Sequence, residues 1–346
     1  MYDVVIIGLG PAGATLARLL DSRFQVACID KKSDKADSFS KVCGGLISPD
    51  AQKALASFEL TLPTSVLSSP QIFSVKTYDL TSHMIKNYQR FYINVNRHRF
   101  DRWLCSLIPT GVELYEDCRC SSVERTDSGY AVTFIKNGTP HTLHTRYVVG
   151  ADGANSIVRK LLYPQKKIRS YLAIQQWFED KNAKPFYSCV FDEKNTDCYS
   201  WSISKDNVFI FGGAYPKQGG RGRFEAQKKI LEGYGIHFGE VIRTEACVVL
   251  RPSKPTDLCC GKDGAFLIGE AGGFISPSSL EGISSAINTA KSLAQVLNSG
   301  SEHPNNAYRR ATLPLRMKLS LKIVKCPFMY FPPLRRAVMK SGIQTI

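Results

Sequence analysis

The chain opens on two apolar runs separated by a turn and a helix. Asp3 to Ile7 is a short β-branched stretch of the kind buried on both faces of a parallel sheet. Gly8-Leu9-Gly10-Pro11-Ala12-Gly13 follows at once, and Ala14 to Leu20 then reads as a helix. A second strand, Gln25 to Ile29, ends at Asp30. Similar runs recur at Tyr147–Val149 and Ala265–Ile268, each running into glycine and small residues. From about Ile168 to Val249 the chain reads instead as strands, at Tyr187–Phe191, Cys198–Ile203 and Val208–Phe211. No stretch approaches the roughly 18 uncharged apolar residues of a spanning helix, and no leader pattern precedes Val4. The expected compartment is the cytoplasm.

The turn at Gly8–Gly13 carries chemistry because it lies between a strand and a helix. Gly8 permits the tight turn, Gly10 lets backbone approach a pyrophosphate, and Gly13 lets the helix press on the sheet. Pro11 and Ala12 open the helix, whose N-terminus offers free N–H groups and partial positive charge to phosphate. Asp30, with Lys31 beside it, stands about 20 residues beyond the central glycine, where an acid holds a ribose. The pattern predicts a dinucleotide-binding unit.

Three further stretches extend the picture. They are Asn96-Arg97-His98-Arg99-Phe100-Asp101; Gly150-Ala151-Asp152-Gly153-Ala154-Asn155-Ser156 with Arg159; and Gly269-Glu270-Ala271-Gly272 leading to Leu280-Glu281-Gly282-Ile283. Together they resemble the fingerprints of the p-hydroxybenzoate hydroxylase-like FAD superfamily. Lys41-Val42-Cys43-Gly44-Gly45-Leu46 is similar to the loop of its geranylgeranyl reductase family, the CbrA-like bacterial branch in particular. The resemblance implies FAD as cofactor, with Arg97, Asp152, Gly153, Gly269 and Glu270 contacting it. Glu270 stands where that superfamily usually has Asp. Gly282 and Ile283 would turn helix N–H groups toward the electron-accepting edge of the flavin ring.

The same resemblance places the Cys43-Gly44-Gly45 loop beside the flavin, with the glycines allowing close approach to ring or substrate. Cys43 reads either as a proton donor or as a small apolar filler; only Lys41 lies near it in sequence. Trp201, with Phe211 and Tyr215, is a candidate pocket wall, although buried aromatics serve equally as core. Ser204 occupies a position where the family usually has proline.

The implied architecture is α/β: a Rossmann-type FAD-binding domain with an inserted antiparallel β-sheet substrate domain and C-terminal helices. The FAD domain is expected from residues 1–70, 96–165 and 250–300, and the substrate domain from 71–95 and 166–249. Residues 301–346 form a basic helical segment.

Composition changes this picture at one end. The formal charge is +15, and residues 309–346 hold nine Lys and Arg and no acid, interleaved with apolar residues. Such a segment suits an anionic membrane surface, reached from the inner face, or a helix packed on the body with its lysines solvated. No nucleic-acid motif accompanies the charge. The 11 cysteines show no zinc spacing. No second dinucleotide module is present, since Gly219-Gly220-Arg221-Gly222 lacks a suitable strand before it. Electrons therefore come from transiently bound NAD(P)H or from a ferredoxin-like protein.

The leading function is reduction of a C=C bond in an isoprenoid or other lipid-like substrate, with hydride from flavin N5. The runner-up is a monooxygenase acting through hydroperoxyflavin. A reading from another class is a non-catalytic, flavin-bound, membrane-associated resistance factor.

Overall fold

The computed structural model describes residues 1–33, 41–180 and 187–342. The chain begins with β1 (Tyr2–Ile7), α1 (Pro11–Leu19) and β2 (Val26–Ile29), then β3 (Leu46–Ile47), α2 (Pro49–Ala56) and the hairpin β4 (Ile72–Asp79) and β5 (Met84–Asn94). Next come α3 (Arg97–Ser106), β6 (Glu113–Tyr115), β7 (Arg119–Thr126), β8 (Gly129–Lys136), β9 (Thr139–Gly150) and α4 (Ile157–Leu162). β10 (Ser170–Glu179), β11 (Tyr187–Phe191), β12 (Ser200–Lys205), β13 (Val208–Tyr215), α5 (Gly220–Glu232) and β14 (Val241–Leu250) follow. The chain then forms β15 (Gly261–Lys262), β16 (Ala265–Leu267), α6 (Ile283–Asn298), α7 (Pro304–Ala311), α8 (Leu313–Tyr330) and α9 (Pro332–Lys340).

Among the described residues, two eight-stranded sheets result. In the first, β16, β9, β1, β2 and β6 run parallel, and the antiparallel pair β7–β8 attaches at β9. Successive side chains of β1 point to opposite faces. Val4 and Ile6 therefore join a core with Leu16 of α1 and Ile287 of α6. Val5 and Ile7 join another with Val132 and Phe134 of β8. The parallel strands are covered on both sides, which is why their sequences show apolar runs rather than alternation.

The second sheet runs β14-β10-β13-β12-β11-β4-β5-β3. It departs from the expected antiparallel sheet at one place: β11 pairs with β4 in parallel, with Cys189 opposite Thr77. The pairing is parallel because β4 arrives from an earlier hairpin, not from the meander that forms β11–β13. Its two faces have different fates. Ile174, Phe178 and Phe211 pack with Phe224 and Leu231 of α5. Ala173, Trp201, Ile203 and Val249 face Val42 and Ile275 of the dinucleotide half. Phe211 and Tyr215 are fully buried against α5, so they are core, not pocket wall.

The C-terminal helices return over both halves. Arg335 of α9 is fully buried and grips the Asp79 carboxylate with two bonds of 3.0 and 2.8 Å; Glu193 adds a contact at 2.6 Å. Among the described residues, no helix is long and apolar enough to cross a membrane. Residues 343–346 of the basic segment lie outside the described residues.

Candidate flavin site and adjoining pocket

The glycine turn divides its work in space. Gly8 has φ +102°, and a β-carbon there would sit 2.6 Å from the Ala151 carbonyl oxygen. A β-carbon at Gly13 would sit 1.8 Å from the oxygen of Gly8, so α1 presses directly on the turn. Gly10 is different: among the described residues only the Lys32 ammonium comes near, at 3.9 Å. Gly10 is also the N-cap of α1 and provides no side-chain cap, with Pro11 at the first helical position. Ala12 packs against Gly269, where a β-carbon would approach it to 3.1 Å. Asp30 accepts from the Leu9 amide and, at 2.9 Å, from that of Lys32.

Asp152 and Gly153 lie across the turn. Asp152 Oδ2 accepts from the Ile157 amide at 2.8 Å, while its buried Oδ1 has no partner among the described residues. Burial pushes this carboxyl up from its ordinary value, partly offset by bonds from Ser156 and Ile157. Arg159 donates to the carbonyls of Ala271 (2.6 Å) and Ala154, tying the two glycine-rich segments together. Gly269 anchors its amide on Thr289 Oγ1 at 2.9 Å. Open space at Gly10, an uncapped helix end and an orphaned carboxylate oxygen fit a dinucleotide carrying phosphates and ribose hydroxyls.

Charged pairs line this cradle. Asp101 takes Arg97 Nε at 2.8 Å and Lys32 Nζ at 2.7 Å. Burial works to raise its carboxyl, but the two cations prevail and hold it down at about 2. Lys32 reaches the cradle at Gly10 and Asp101, and Lys31, next to Asp30, lies at the surface after β2. Glu270 is engaged by Lys41 and accepts from the Leu250 amide at 2.8 Å. At the start of α6, Gly282 is the N-cap and Ile283 the first, buried residue, while Glu281 caps the Ser284 amide at 2.8 Å.

Beside the cradle lies a cavity of about 70 Å³ lined by Lys41, Cys43, Arg97, Trp177, Lys205 and Arg243, among others. The period of two explains its wall. Trp201, Ile203 and Lys205 share one face of β12, as Gln175 and Trp177 do on β10 and Arg243 and Glu245 on β14. The Trp201 indole donates to Gln175 at 3.3 Å, and that of Trp177 to Glu245 at 2.9 Å. Gly44 and Gly45 approach this sheet, not open space. A β-carbon at Gly44 would meet Ile203 at 2.5 Å; one at Gly45, where φ is +65°, would meet the Val95 oxygen at 2.4 Å.

Two groups in the cavity have unusual surroundings. Lys205 is 3% exposed and donates to Asn94 Oδ1 and to the carbonyls of Val95 (2.6 Å) and Gly45 (3.3 Å). Burial lowers its ammonium to about 8, only partly opposed by Cys43 and Asp206. Cys43 also lies near Arg97, whose guanidinium holds its proton more tightly than usual: burial disfavours its charge, but Asp101 and Cys43 more than offset this. Cys43 thus has cationic neighbours from α3 and β12, roughly 50 and 160 residues away, which local spacing could not reveal. The period-two alternation hinted at Trp177, Glu245 and Lys205, but nothing in it specified which strands would be neighbours.

The fold and cradle define a flavin-dependent oxidoreductase, and the chain belongs to the FAD binding domain family, whose pattern spans residues 1–213. Over all 346 residues it is 54% identical to the protein CbrA of Escherichia coli O6:H1, covering 94% of that protein. Two solved structures share the fold. A geranylgeranyl bacteriochlorophyll reductase-like protein from Thermoplasma acidophilum has a TM-score of 0.75, 16% identity and 98% of each chain covered. The p-nitrophenol 4-monooxygenase PnpA from Pseudomonas putida has a TM-score of 0.73 and 14% identity, with 99% of this chain and 93% of that one covered.

Proposed function

We propose that the protein is an FAD-dependent reductase that saturates a C=C bond in an isoprenoid or other lipid-like substrate. The observation that carries this reading is the meeting of Cys43 and buried Lys205 in a cationic cavity beside the cradle. Saturation needs a hydride and a proton. Bound FAD supplies the electrons as hydride, and the protein supplies position and charge. Lys205 is the proton source: with its ammonium lowered to about 8, it is protonated at neutral pH yet releases a proton more readily than an ordinary lysine. Cys43, beside it, relays that proton toward the alkene. Lys41, Arg97 and Arg243, held by Glu270, Asp101 and Glu245, fix the cavity wall, and the indoles of Trp177 and Trp201 limit water. The donor of electrons is NAD(P)H bound transiently or an acidic ferredoxin-like carrier drawn to the basic surface.

The test is anaerobic reduction of the holoprotein followed by mixing with an isoprenoid diphosphate. Flavin reoxidation without oxygen, with a product two hydrogens heavier, supports the reductase. Reoxidation only by air, accelerated by substrate and giving a hydroxylated product, would replace this reading by a monooxygenase.

A further inference from the structure

Helix α8 is apolar on two faces, and only one of them is covered. Leu319 is its one fully buried side chain, packed with α6. On the other side, Leu313, Met317, Leu321, Val324, Phe328 and, just past the helix, Phe331 are each 48–68% exposed. Their spacing of 4, 4, 3, 4 and 3 residues gathers them, at 100° per residue, into an arc of about 80° roughly opposite Leu319. Single exposed apolar residues need no explanation, but a continuous stripe six side chains long does.

The charges beside the stripe are all of one sign. Lys318, Lys322 and Lys325 project between the stripe and the buried face, with Arg316 on the other flank, and no acid occurs from 309 to 342. Under the lysine flank, α8, α2 and α6 enclose a cavity of about 330 Å³. Lys53, Lys291, Lys318 and Lys322 line it with Ser57 and Asn288. Asp50 is the acid among its lining residues, 2.7 Å from Lys318 and 3.9 Å from Lys322, so positive charge remains in excess.

We infer that α8 docks the protein on an anionic lipid bilayer, with the stripe buried among acyl chains and the lysine-lined cavity receiving a lipid phosphate. Apolar insertion and a flanking polybasic patch are the two signals that stable interfacial binding requires. A second copy of this chain is a poorer occupant: it would bring an equally basic flank against this one. The C-terminal turn of α8 is fixed beside the active half, since Tyr330 donates to the Ser278 carbonyl at 2.5 Å, in the turn that leads into α6. The inference holds whichever reaction the flavin site performs.

Flotation of the full-length holoprotein with phosphatidylcholine vesicles containing about one third phosphatidylglycerol tests it. Binding is expected to anionic vesicles and to weaken in high salt. The variant Leu321→Ser, Val324→Ser, Phe328→Ser should bind roughly tenfold or more weakly while keeping its flavin absorbance and circular dichroism. Lys318→Gln with Lys322→Gln should remove much of the salt-dependent part. Absence of flotation, or flotation unaffected by the triple variant, overturns the docking face. Equal binding to vesicles of pure phosphatidylcholine overturns the preference for an anionic bilayer, and anionic-vesicle binding unchanged by the double lysine variant overturns the phosphate pocket. A dimer seen by light scattering and dissociated by the triple variant would assign the stripe to a second copy instead.

Discussion

The two sheets have equal strand numbers and opposite ways of making a site. The first presents backbone: the turn at Gly8–Gly13 and the uncapped start of α1 form a cradle within a dozen residues of sequence. The second presents side chains, brought from β10, β12 and β14 onto one face by alternation and register. A backbone site demands particular glycines in a short order and so leaves a compact motif. A side-chain site demands only that every second residue face the right way, which many sequences satisfy.

This contrast can be broken most sharply at Gly10. Gly10→Glu points a carboxylate into the open space of the cradle, so purified protein is expected to be colourless while its circular dichroism stays native. Full flavin absorbance in the folded variant would show that the cradle does not hold the cofactor.

The next largest effect belongs to the second sheet. Arg335→Met leaves the buried Asp79 carboxylate without its guanidinium and should destabilise the protein by about 3–5 kcal/mol in urea unfolding. Asp79→Asn in the same chain should recover part of the loss. A change within half a kcal/mol or so would mean that the pair does not hold α9 on the sheet.

At the cavity, Lys205→Gln should slow substrate-dependent flavin reoxidation roughly 100-fold. Lys205 is charged below its lowered value and loses its proton as pH rises through about 8. The native rate should therefore decline above that pH, and the variant should lack this limb. A decline that persists in the variant assigns the titration elsewhere.

The smallest effect is electrostatic and falls in the cradle. The Asp101 carboxyl is held at about 2 against an ordinary 3.8, so its charge stabilises the folded state above pH 4 or so. That contribution, about 2 kcal/mol, is lost as pH falls through about 2. The stability gap between native and Asp101→Asn proteins should be constant above about pH 4 and shrink only within that window; a gap that does not change with pH there would show that Arg97 and Lys32 do not act through Asp101.

The legibility of the molecule follows the same division. β1, α1 and the Asp152-Gly153 turn were readable because tight backbone geometry restricts residue choice locally. Asp101 and Lys41 were within view as letters of quoted segments, yet their partners, Lys32 and Glu270, come from elsewhere in the chain. At the loop, Gly44 has a constraint that local sequence does not reveal, since Ile203 and Trp201 of β12 press on it. The parallel pairing of β4 with β11 was hidden because alternation reveals a strand's faces and not its neighbours.

The clamp between Arg335 and Asp79 has a consequence for synthesis on the ribosome. The two residues are 256 positions apart, so the carboxylate is made long before its guanidinium leaves the exit tunnel. Until then the second sheet must either remain open at β4 or close around an unmatched charge. A chain released early would keep the Asp79 carboxylate at the end of β4 without its guanidinium. The carboxylate of β4 is thus matched only in a polypeptide made through α9.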